Sequence, residues 1–489
     1  MNQSTPTSDL TMNFIHGVLS NGQDNSMEVI SPLDGSVISR VVLSGRKELD
    51  QAVNSAQRAF PGWSGKTLKE RVQVFFQFRR LLEENIDSLT DLVVLENGKT
   101  QDEAKAEVLK GIELCEFACS LPQLINDEIQ EVSKGVECRT SHVPVGIVAS
   151  ITPFNFPHMV PLWTIPNAIA LGNCLILKPS EQTPISAIRI GELLKEAGLP
   201  DGVLNVVHGD KQIVEAICDH PDIEAVSFVG STRVAKIVYQ RSTSNLKRCV
   251  ALGGAKNHLI VLPDAQLDMT AANIAASMTG CAGQRCMAAS AMVAVGKTDH
   301  IIERICAEAR KIRVGENLGA IITKAAKERI EGYINEAEAQ GAKVLVDGRN
   351  ATVPGKEEGF YVGPTVIDYV RPDMKIAKEE VFGPVLSIMR TNDIDEAIRI
   401  ENSSNYGNAS SVFTQNGMMA DYVMDRVSAG MVGVNIGVPV PREPFSFGGW
   451  NESRFGVNDI TGKSSIGFWT KLKKRTTKWN PEAWVDWTS

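Results

Sequence analysis

The sequence lacks the features of a membrane, secreted or nucleic-acid-binding protein. Its N-terminus, MNQSTPTSDLTMNFIHG, has neither a basic segment followed by an apolar one nor a series of arginines, so no secretory signal or mitochondrial transit peptide is predicted. The apolar stretch 149–177 is broken by prolines and asparagines before it reaches transmembrane length. Lys and Arg total 50 against 58 Asp and Glu, and no basic patch stands out. We therefore expect a cytoplasmic protein with no nucleic acid and no membrane as partner.

Cysteine occurs nine times, but in no pattern that predicts a zinc site or a disulfide framework. Cys115 and Cys119 lie one helical turn apart in an apolar segment and are expected to pack in the core. This usage fits a reducing compartment better than secretion, and no metal site is predicted.

The length of 489 residues exceeds what one hydrophobic core supports, so two or more domains are expected. Apolar residues at three- and four-residue spacing predict helices over 46–62 and 65–125. Four strand–helix units follow between residues 145 and 242, and such alternation predicts a parallel, doubly wound α/β sheet. A second α/β pattern begins after residues 251–256, where we place the domain boundary.

The stretch CAGQRCMAAS (281–290) places Gln284 and Arg285 directly before Cys286. A cysteine is nucleophilic as its thiolate, and Arg285 together with a nearby helix end is expected to lower the pKa of Cys286. An isolated cysteine is more often a buried structural residue, so this interpretation depends on other segments. Cys281 is expected to pack rather than to react.

Three segments in the first α/β pattern supply those partners. In ITPFNFPHMVPLW (151–163), Asn155 stands between prolines and aromatics, and its amide can donate to an oxyanion. In LILKPSEQTP (175–184), Lys178 and Glu181 follow a strand, where they either bind a ribose or form a solvent-exposed ion pair. SFVGSTRVAK (227–236) predicts a helix N-terminus suited to pyrophosphate, although the G-x-G-x-x-G fingerprint is absent.

Together these segments resemble the aldehyde dehydrogenase superfamily over essentially the whole chain. The resemblance is carried by seven motifs in order, namely PFNFP, KPSEQTP, FVGST, LGGAKN, GQRC, EEVFGPV and YGNASSVF. It implies a Rossmann-like NAD-binding domain (1–126 and 145–252), an α/β catalytic domain (253–450) and a small β oligomerisation arm (127–144 and 465–489). A homodimer or homotetramer is implied as well.

By the same resemblance, Cys286 attacks the aldehyde and Asn155 holds the oxyanion, so that hydride transfer to NAD leaves a thioester on Cys286. Glu181 disfavours a 2′-phosphate, which favours NAD over NADP. The cofactor residues implied are Ile151, Thr152, Pro153, Phe154, Lys178, Ser180, Glu181, Gly230, Ser231, Glu380 and Phe382.

The sequence departs from the superfamily's hydrolytic form at Ala251. Hydrolytic members carry Glu-Leu-Gly-Gly-Lys, and CVALGGAKNH (249–258) has alanine in place of that glutamate. Alanine cannot act as a base, and general base catalysis contributes roughly 10²–10⁴-fold. The acyl group is therefore expected to leave to a thiol such as coenzyme A.

The motifs GAKNH, GQRCMA and VGVNIGVPVPREPFSFGG resemble the methylmalonate-semialdehyde dehydrogenases, the CoA-acylating branch. That branch converts malonate or methylmalonate semialdehyde to acetyl-CoA or propionyl-CoA with loss of CO2. Arg285 is then expected to clamp the substrate carboxylate, unless it pairs with a carboxylate of its own loop. Lys110, in AEVLKGIE, stands where the family has a second arginine. Two rivals stay open: a hydrolytic dehydrogenase for another small acidic aldehyde, and a catalytically silent protein of this fold.

Overall fold

The computed structural model describes residues 9–22 and 25–479. Numbered along the chain, its helices are α1 Arg46–Ser64, α2 Leu68–Glu84, α3 Ile86–Asn97, α4 Gln101–Leu124, α5 Met159–Ala170, α6 Ile185–Glu196, α7 Lys211–Asp219, α8 Thr232–Ser244, α9 Leu267–Thr279, α10 Asp299–Ala309, α11 Lys324–Ala339, α12 Lys375–Lys378, α13 Ile394–Asn402, α14 Gly417–Met424 and α15 Ser464–Trp469, with a 3-10 turn at Gly280–Gly283.

The strands, numbered in the same way, are β1 Leu10–Thr11, β2 Asn13–Ile15, β3 Val18–Ser20, β4 Ser26–Ile30, β5 Val37–Val42, β6 Ile129–Ser133, β7 Val136–Pro144, β8 Ile147–Ile151, β9 Cys174–Lys178, β10 Leu204–Val206, β11 Ala225–Val229, β12 Arg248–Leu252, β13 Asn257–Val261, β14 Ala289–Val295, β15 Lys343–Val346, β16 Thr365–Asp368, β17 Val385–Thr391, β18 Tyr406–Gly407, β19 Ala409–Phe413, β20 Met431–Val434, β21 Trp450–Asn451, β22 Arg454–Phe455 and β23 Thr470–Lys478.

The predicted helical region is confirmed, with breaks that the periodicity alone did not locate. The stretch predicted over 65–125 forms three helices, because Gly98 ends α3 in a left-handed conformation at φ 81°. Thr67 and Thr100 begin α2 and α4, and each accepts a hydrogen bond from the backbone N–H three residues later. The break at Gly98 brings the N-terminus of α4 next to the loop that follows β8.

The first sheet is the predicted doubly wound one, in the order β22-β12-β11-β8-β9-β10-β2-β3. Its five central strands are parallel, and the antiparallel edge strands β22, β2 and β3 were not anticipated from the sequence. The strand order reverses between β8 and β11, which leaves a crevice beyond their carboxyl ends. Residues 152–155 and 230–231 lie at this switch point.

The second sheet has the order β15-β16-β17-β14-β13-β19-β20 and is parallel except for β15. Apolar side chains are buried on both of its faces, in two separate clusters. The first sheet and the helices around it share one larger core, in which Trp63, Phe75 and Phe78 are fully buried. Cys115 is buried in this core and Cys119 packs beside it, as expected.

A third, antiparallel sheet of order β23-β7-β6 forms the predicted arm. Strand β23 pairs with β7 from Thr470↔Pro144 to Lys478↔Val136, while the arm residues 480–489 lie outside the described residues. Ile129, Val132 and Leu472 on this sheet are more than half exposed. Its role in oligomerisation stays a prediction, as do the domain limits. Within residues 9–22 and 25–479, no helix has the length and apolar character needed to cross a membrane.

Candidate active site

A cavity of about 980 Å³ opens between the first and second sheets. It brings together most of the residues singled out from the sequence: Lys110, Pro153, Phe154, Asn155, Gly230, Ser231, Arg285, Cys286, Glu380 and Phe382. Five others do not line it. Ile151 and Lys178 are the last residues of β8 and β9, and Thr152, Ser180 and Glu181 lie in the loops that follow these strands.

Cys286 lies on a sharp turn after α9. Helix α9 ends at Thr279, and Cys281 and Ala282 then take left-handed conformations at φ 55° and 52°. Gly283 continues the turn at φ 69°, where an added Cβ would lie 2.1 Å from the backbone of Gly383, so only glycine fits. The turn directs the chain back into β14 and leaves the half-buried Cys286 facing the cavity. Cys281 is buried, as expected for packing.

Two asparagines fix the backbone of Cys286. Its carbonyl oxygen accepts a hydrogen bond from Asn257 Nδ2 at 2.8 Å and another from Asn408 Nδ2 at 2.9 Å. Asn257 begins β13, and Asn408 precedes β19, the neighbouring strand in the second sheet. Both belong to motifs noted in the sequence, AKNH and YGNASS, yet neither was predicted to contact the nucleophile.

Arg285 lowers the pKa of Cys286, as expected, but the net shift of this pKa is upward. Burial raises the pKa of the Cys286 thiol to about 12, and the negative charge of Glu380 adds to the rise. The backbone N–H of Cys286 and the charge of Arg285 both act in the opposite direction but do not outweigh burial. The thiol is therefore protonated at neutral pH in the absence of ligands.

Asn155 lies in the loop between β8 and α5 and reaches across to the turn of Cys286. Its Nδ2 donates to the carbonyl oxygen of Gln284 at 3.0 Å. The side chain of Gln284 in turn bonds Ala320 and Ile322, so the turn is also held from behind. An amide nitrogen has two hydrogens, so the second one stays available for an oxyanion formed at Cys286.

The start of α4 holds both of these loops, which the sequence did not indicate. Lys99 Nζ donates to the backbone oxygen of Asn155 at 2.6 Å and pairs with Glu107, and both charged residues are about 96–97% buried. Glu107 Oε1 accepts from the backbone N–H of His158 at 2.9 Å and of Met159 at 3.1 Å.

The same helix also contacts the turn of the nucleophile. Glu103 Oε1 accepts from the backbone N–H of Cys281 at 2.6 Å. Glu103 is the residue that completes the N-terminal cap of α4 with Thr100. One helix end therefore fixes the oxyanion-donor loop and the nucleophile turn relative to each other.

Arg285 caps the carboxyl end of α9 instead of pairing with a carboxylate. Its Nη2 donates to the carbonyl oxygens of Ala276 at 2.9 Å and Ser277 at 3.0 Å. A Cβ at Gly280 would lie 2.5 Å from this nitrogen, so the glycine makes room for the guanidinium. The Nε atom is buried and finds no hydrogen-bond partner among the described residues. The expected alternative, an ion pair within its own loop, is not formed.

Lys110, the other predicted cation, is already paired. Its Nζ lies 2.6 Å from Glu443 and 2.9 Å from Glu113. Glu443 also lines the cavity and was not anticipated, because 333 residues separate it from Lys110.

Ala251 is fully buried in β12, where it pairs with Phe228 on β11 and Phe455 on β22. Beyond it, the loop to β13 carries Gly254 and Ala255, and the N–H of Ala255 donates to Glu380 Oε1 at 3.0 Å. Burial raises the pKa of Glu380 to about 7. The carboxylates that line the described cavity are therefore Glu380, Glu443 and Glu379, and none comes from the strand of Ala251.

The switch-point side of the cavity fits a dinucleotide. Ser231 precedes α8 without a side-chain capping bond, so the N-terminal N–H groups of this helix keep capacity for a phosphate. The hydroxyl of Thr152 is buried and has no partner among the described residues. Phe382, at φ 55°, packs edge-on against Phe154 with ring centroids 6.0 Å apart.

The ion pair expected from KPSEQTP is present but is not the exposed one envisaged. Lys178 Nζ lies 2.7 Å from Glu181, and the Lys178 side chain is only 6% exposed while that of Glu181 is 31% exposed. Lys178 ends β9 and Glu181 lies in the loop that follows it, next to the switch point. The pair therefore presents a carboxylate beside a buried cation, which suits ribose hydroxyls better than a phosphate.

Comparison with known proteins gives a consistent result along the full chain. The model of the aldehyde dehydrogenase family matches residues 19–474. The chain is 42% identical to malonate-semialdehyde dehydrogenase 1 of Geobacillus kaustophilus, with 98% of this chain and all of the relative covered. It is also 42% identical to malonate-semialdehyde dehydrogenase of Pseudomonas aeruginosa, with 96% of each chain covered.

Two solved structures are similar over nearly the whole fold. The crystal structure of methylmalonate-semialdehyde dehydrogenase from Oceanimonas doudoroffii has a TM-score of 0.96 and 43% identity, covering 97% of this chain and 99% of that chain. A Sinorhizobium meliloti 1021 protein, whose proposed identity is methylmalonate-semialdehyde dehydrogenase, was solved in complex with NAD. Its TM-score is 0.95 at 42% identity, with 96% of this chain and 98% of that chain covered.

Proposed function

The chain belongs to the aldehyde dehydrogenase family, and from this premise we propose that it oxidises malonate or methylmalonate semialdehyde with NAD and transfers the acyl group to coenzyme A. The relatives named malonate-semialdehyde dehydrogenase support the substrate class, and the neighbour solved with NAD supports the cofactor. The observation that carries the acyl transfer to a thiol is Ala251, a buried methyl group where hydrolysis would need a carboxylate.

In this mechanism Cys286 attacks the aldehyde carbon, and Asn155 Nδ2 with the Cys286 backbone N–H stabilises the oxyanion. When bound, NAD would supply the acceptor for the hydride. The adduct on Cys286 becomes a thioester, while Asn257 and Asn408 keep the Cys286 backbone in place. The residues that would hold NAD are the N-terminal turn of α8, Glu181, Glu380 and Phe382.

Arg285, which lines the cavity and forms no ion pair with a described carboxylate, would bind the substrate carboxylate. Once the aldehyde carbon is a thioester, that carbonyl can delocalise the carbanion formed when CO2 leaves. Protonation of this carbanion and attack by the CoA thiol release acetyl-CoA from malonate semialdehyde, or propionyl-CoA from methylmalonate semialdehyde. A thiol needs less assistance than water, because its thiolate is intrinsically reactive.

The experiment that tests this proposal follows NADH formation with malonate semialdehyde in the presence and absence of CoA. We expect multiple turnovers and acetyl-CoA only with CoA, and without it a single burst equal to the enzyme concentration. Steady turnover to a free acid without CoA would refute the acylating assignment.

One observation favours the hydrolytic alternative. Glu380 is a buried carboxyl in the same cavity, and its pKa of about 7 would let it act as a base near neutral pH. If Glu380 activates water, turnover without CoA should be sustained and should disappear in Glu380→Gln. The arm sheet suggests a homodimer or homotetramer. The cytoplasmic location of the enzyme stays a prediction from the sequence.

A further inference from the structure

Four charged side chains form a cluster at the cavity wall between α4 and the segment 438–447. Lys110 pairs with Glu443 at 2.6 Å and with Glu113 at 2.9 Å, and Arg442 lies 3.9 Å from Glu113. Lys110, Arg442 and Glu443 line the cavity. Two positive and two negative groups leave the cluster without net charge.

The two carboxylates of this cluster differ in their exposure to water. The side chain of Glu443 is 14% exposed, while that of Glu113 is 44% exposed and lies on the solvent side of α4. Solvent screens the charge of an exposed group much more than that of a buried one. Glu443 is therefore the partner that neutralises Lys110 on the side facing the cavity.

Arg285 is in the opposite situation. Its hydrogen-bond partners among the described residues are backbone carbonyls, and no described carboxylate lies within ion-pair distance of it. Of the two cations that the sequence suggested for substrate binding, Arg285 has no described carboxylate partner, whereas Lys110 is paired with Glu443, a residue that itself lines the cavity.

We propose that Glu443 sets how strongly the cavity prefers an acidic aldehyde over a neutral one, because it holds Lys110 in an ion pair and leaves Arg285 as the carboxylate anchor. This inference rests on the proposed function. It makes Glu443 a specificity-determining residue, and it assigns the 438–447 segment to the substrate-recognition part of the cavity.

If this is so, substitutions of Glu443 and of Lys110 should change the binding of the substrate carboxylate in opposite directions. Replacing Glu443 by glutamine keeps the shape of the side chain and removes one largely buried negative charge. Lys110 then keeps the exposed Glu113 as its carboxylate partner among the described residues, so more of its charge acts on the substrate carboxylate. Replacing Lys110 by methionine leaves Glu443 as an unpaired carboxylate that repels the same substrate. A charge-assisted hydrogen bond changes affinity by about tenfold or more.

The experiment measures the selectivity ratio, kcat/KM for malonate semialdehyde divided by kcat/KM for propanal, with saturating NAD and CoA. Propanal has the same three carbons without the carboxylate. We expect the ratio to rise about tenfold in Glu443→Gln and to fall about tenfold in Lys110→Met. In the double variant the ratio should return to within about threefold of the unmodified protein, since both charges are removed.

Glu113→Gln is the matched control, because it removes the same charge from the exposed partner of Lys110. A rise in Glu113→Gln as large as in Glu443→Gln would overturn the inference, and so would an unchanged ratio in Glu443→Gln. If Glu443→Gln does not fold, an unchanged ratio in Lys110→Met overturns it equally. Failure of the proposed function would look different, since the unmodified protein would then lack CoA dependence or any preference for the acidic aldehyde.

Discussion

Replacing Lys99 by methionine tests whether the start of α4 positions the oxyanion donor. Methionine has nearly the same length, but it removes the ammonium that pairs with Glu107 and donates to the backbone oxygen of Asn155. The Lys99 ammonium also lies 3.8 Å from the ring centroid of Phe156, in the same loop. The substitution therefore removes two contacts to this loop and the ion pair with Glu107 on α4, while nearly keeping the volume.

The effect on stability follows from burial. Removal of one partner of a buried ion pair leaves an uncompensated charge and costs about 3–5 kcal/mol. Glu107 keeps the hydrogen bonds donated by the backbone of His158 and Met159, so we expect the lower end, about 3 kcal/mol, in urea unfolding.

The effect on catalysis should appear in kcat. Loss of an oxyanion donor costs about 10²–10³-fold, and a displaced donor should cost less, about 10–100-fold. Alkylation of Cys286 by iodoacetamide uses no oxyanion donor, so its rate should change by no more than about twofold. A purely structural role for Lys99 would slow alkylation and NADH formation together.

A double-mutant cycle with Asn155→Ala gives the decisive result. If Lys99 acts through Asn155, the double variant should be no slower than Asn155→Ala alone, within about threefold. Additive losses in kcat would refute the positioning role. Arg390→Met is the matched control, because it breaks a partly buried ion pair with Asp368 in the second sheet, at 2.7 Å. It should lower stability and leave kcat unchanged well below the melting temperature.

Three other predictions concern single groups of the site. Cys286→Ala should abolish NADH formation, with a loss of at least about 10³-fold, while isothermal titration still detects NAD binding. Ala251→Glu should raise CoA-independent turnover by no more than about tenfold. It should also lower Tm, because the new carboxylate would occupy a fully buried position in a strand. A Tm equal to that of the unmodified protein would contradict this burial. Because the pKa of Glu380 is raised to about 7, the fraction of Glu380 in the carboxylate form, which would bind the ribose, increases as the pH rises from 6 to 8. We therefore expect the affinity for NAD to increase over the same pH range. In Glu380→Gln the affinity should no longer depend on pH over this range.

The sequence was sufficient to predict the strands and turns whose ends form the site. Strand ends followed by glycine or proline mark the switch point, and the Pro-flanked Asn155 and the turn before Cys286 are visible as short local patterns. Local patterns of this kind report backbone constraints, which depend on neighbouring residues. The parallel order of the central strands follows from the same alternation of strands and helices.

The pairings across the cavity could not be predicted, because they join residues far apart in the chain. Asn408 lies 122 residues from the carbonyl that it holds, and Glu443 lies 333 residues from Lys110. The net rise in the pKa of Cys286 was not predicted, for a related reason. Arg285 is visible beside Cys286 in the sequence, whereas burial and the charge of Glu380 arise only in the folded chain.

Burial of Cys286 and Glu380 in one cavity links the ionisation of the nucleophile to cofactor binding. The negative charge of Glu380 disfavours the Cys286 thiolate, and burial raises both pKa values, to about 12 and about 7. The nicotinamide ring of oxidised NAD carries a positive charge, so its presence in the cavity favours the thiolate and the carboxylate together. An aldehyde that enters before NAD meets a protonated thiol, which is a poor nucleophile.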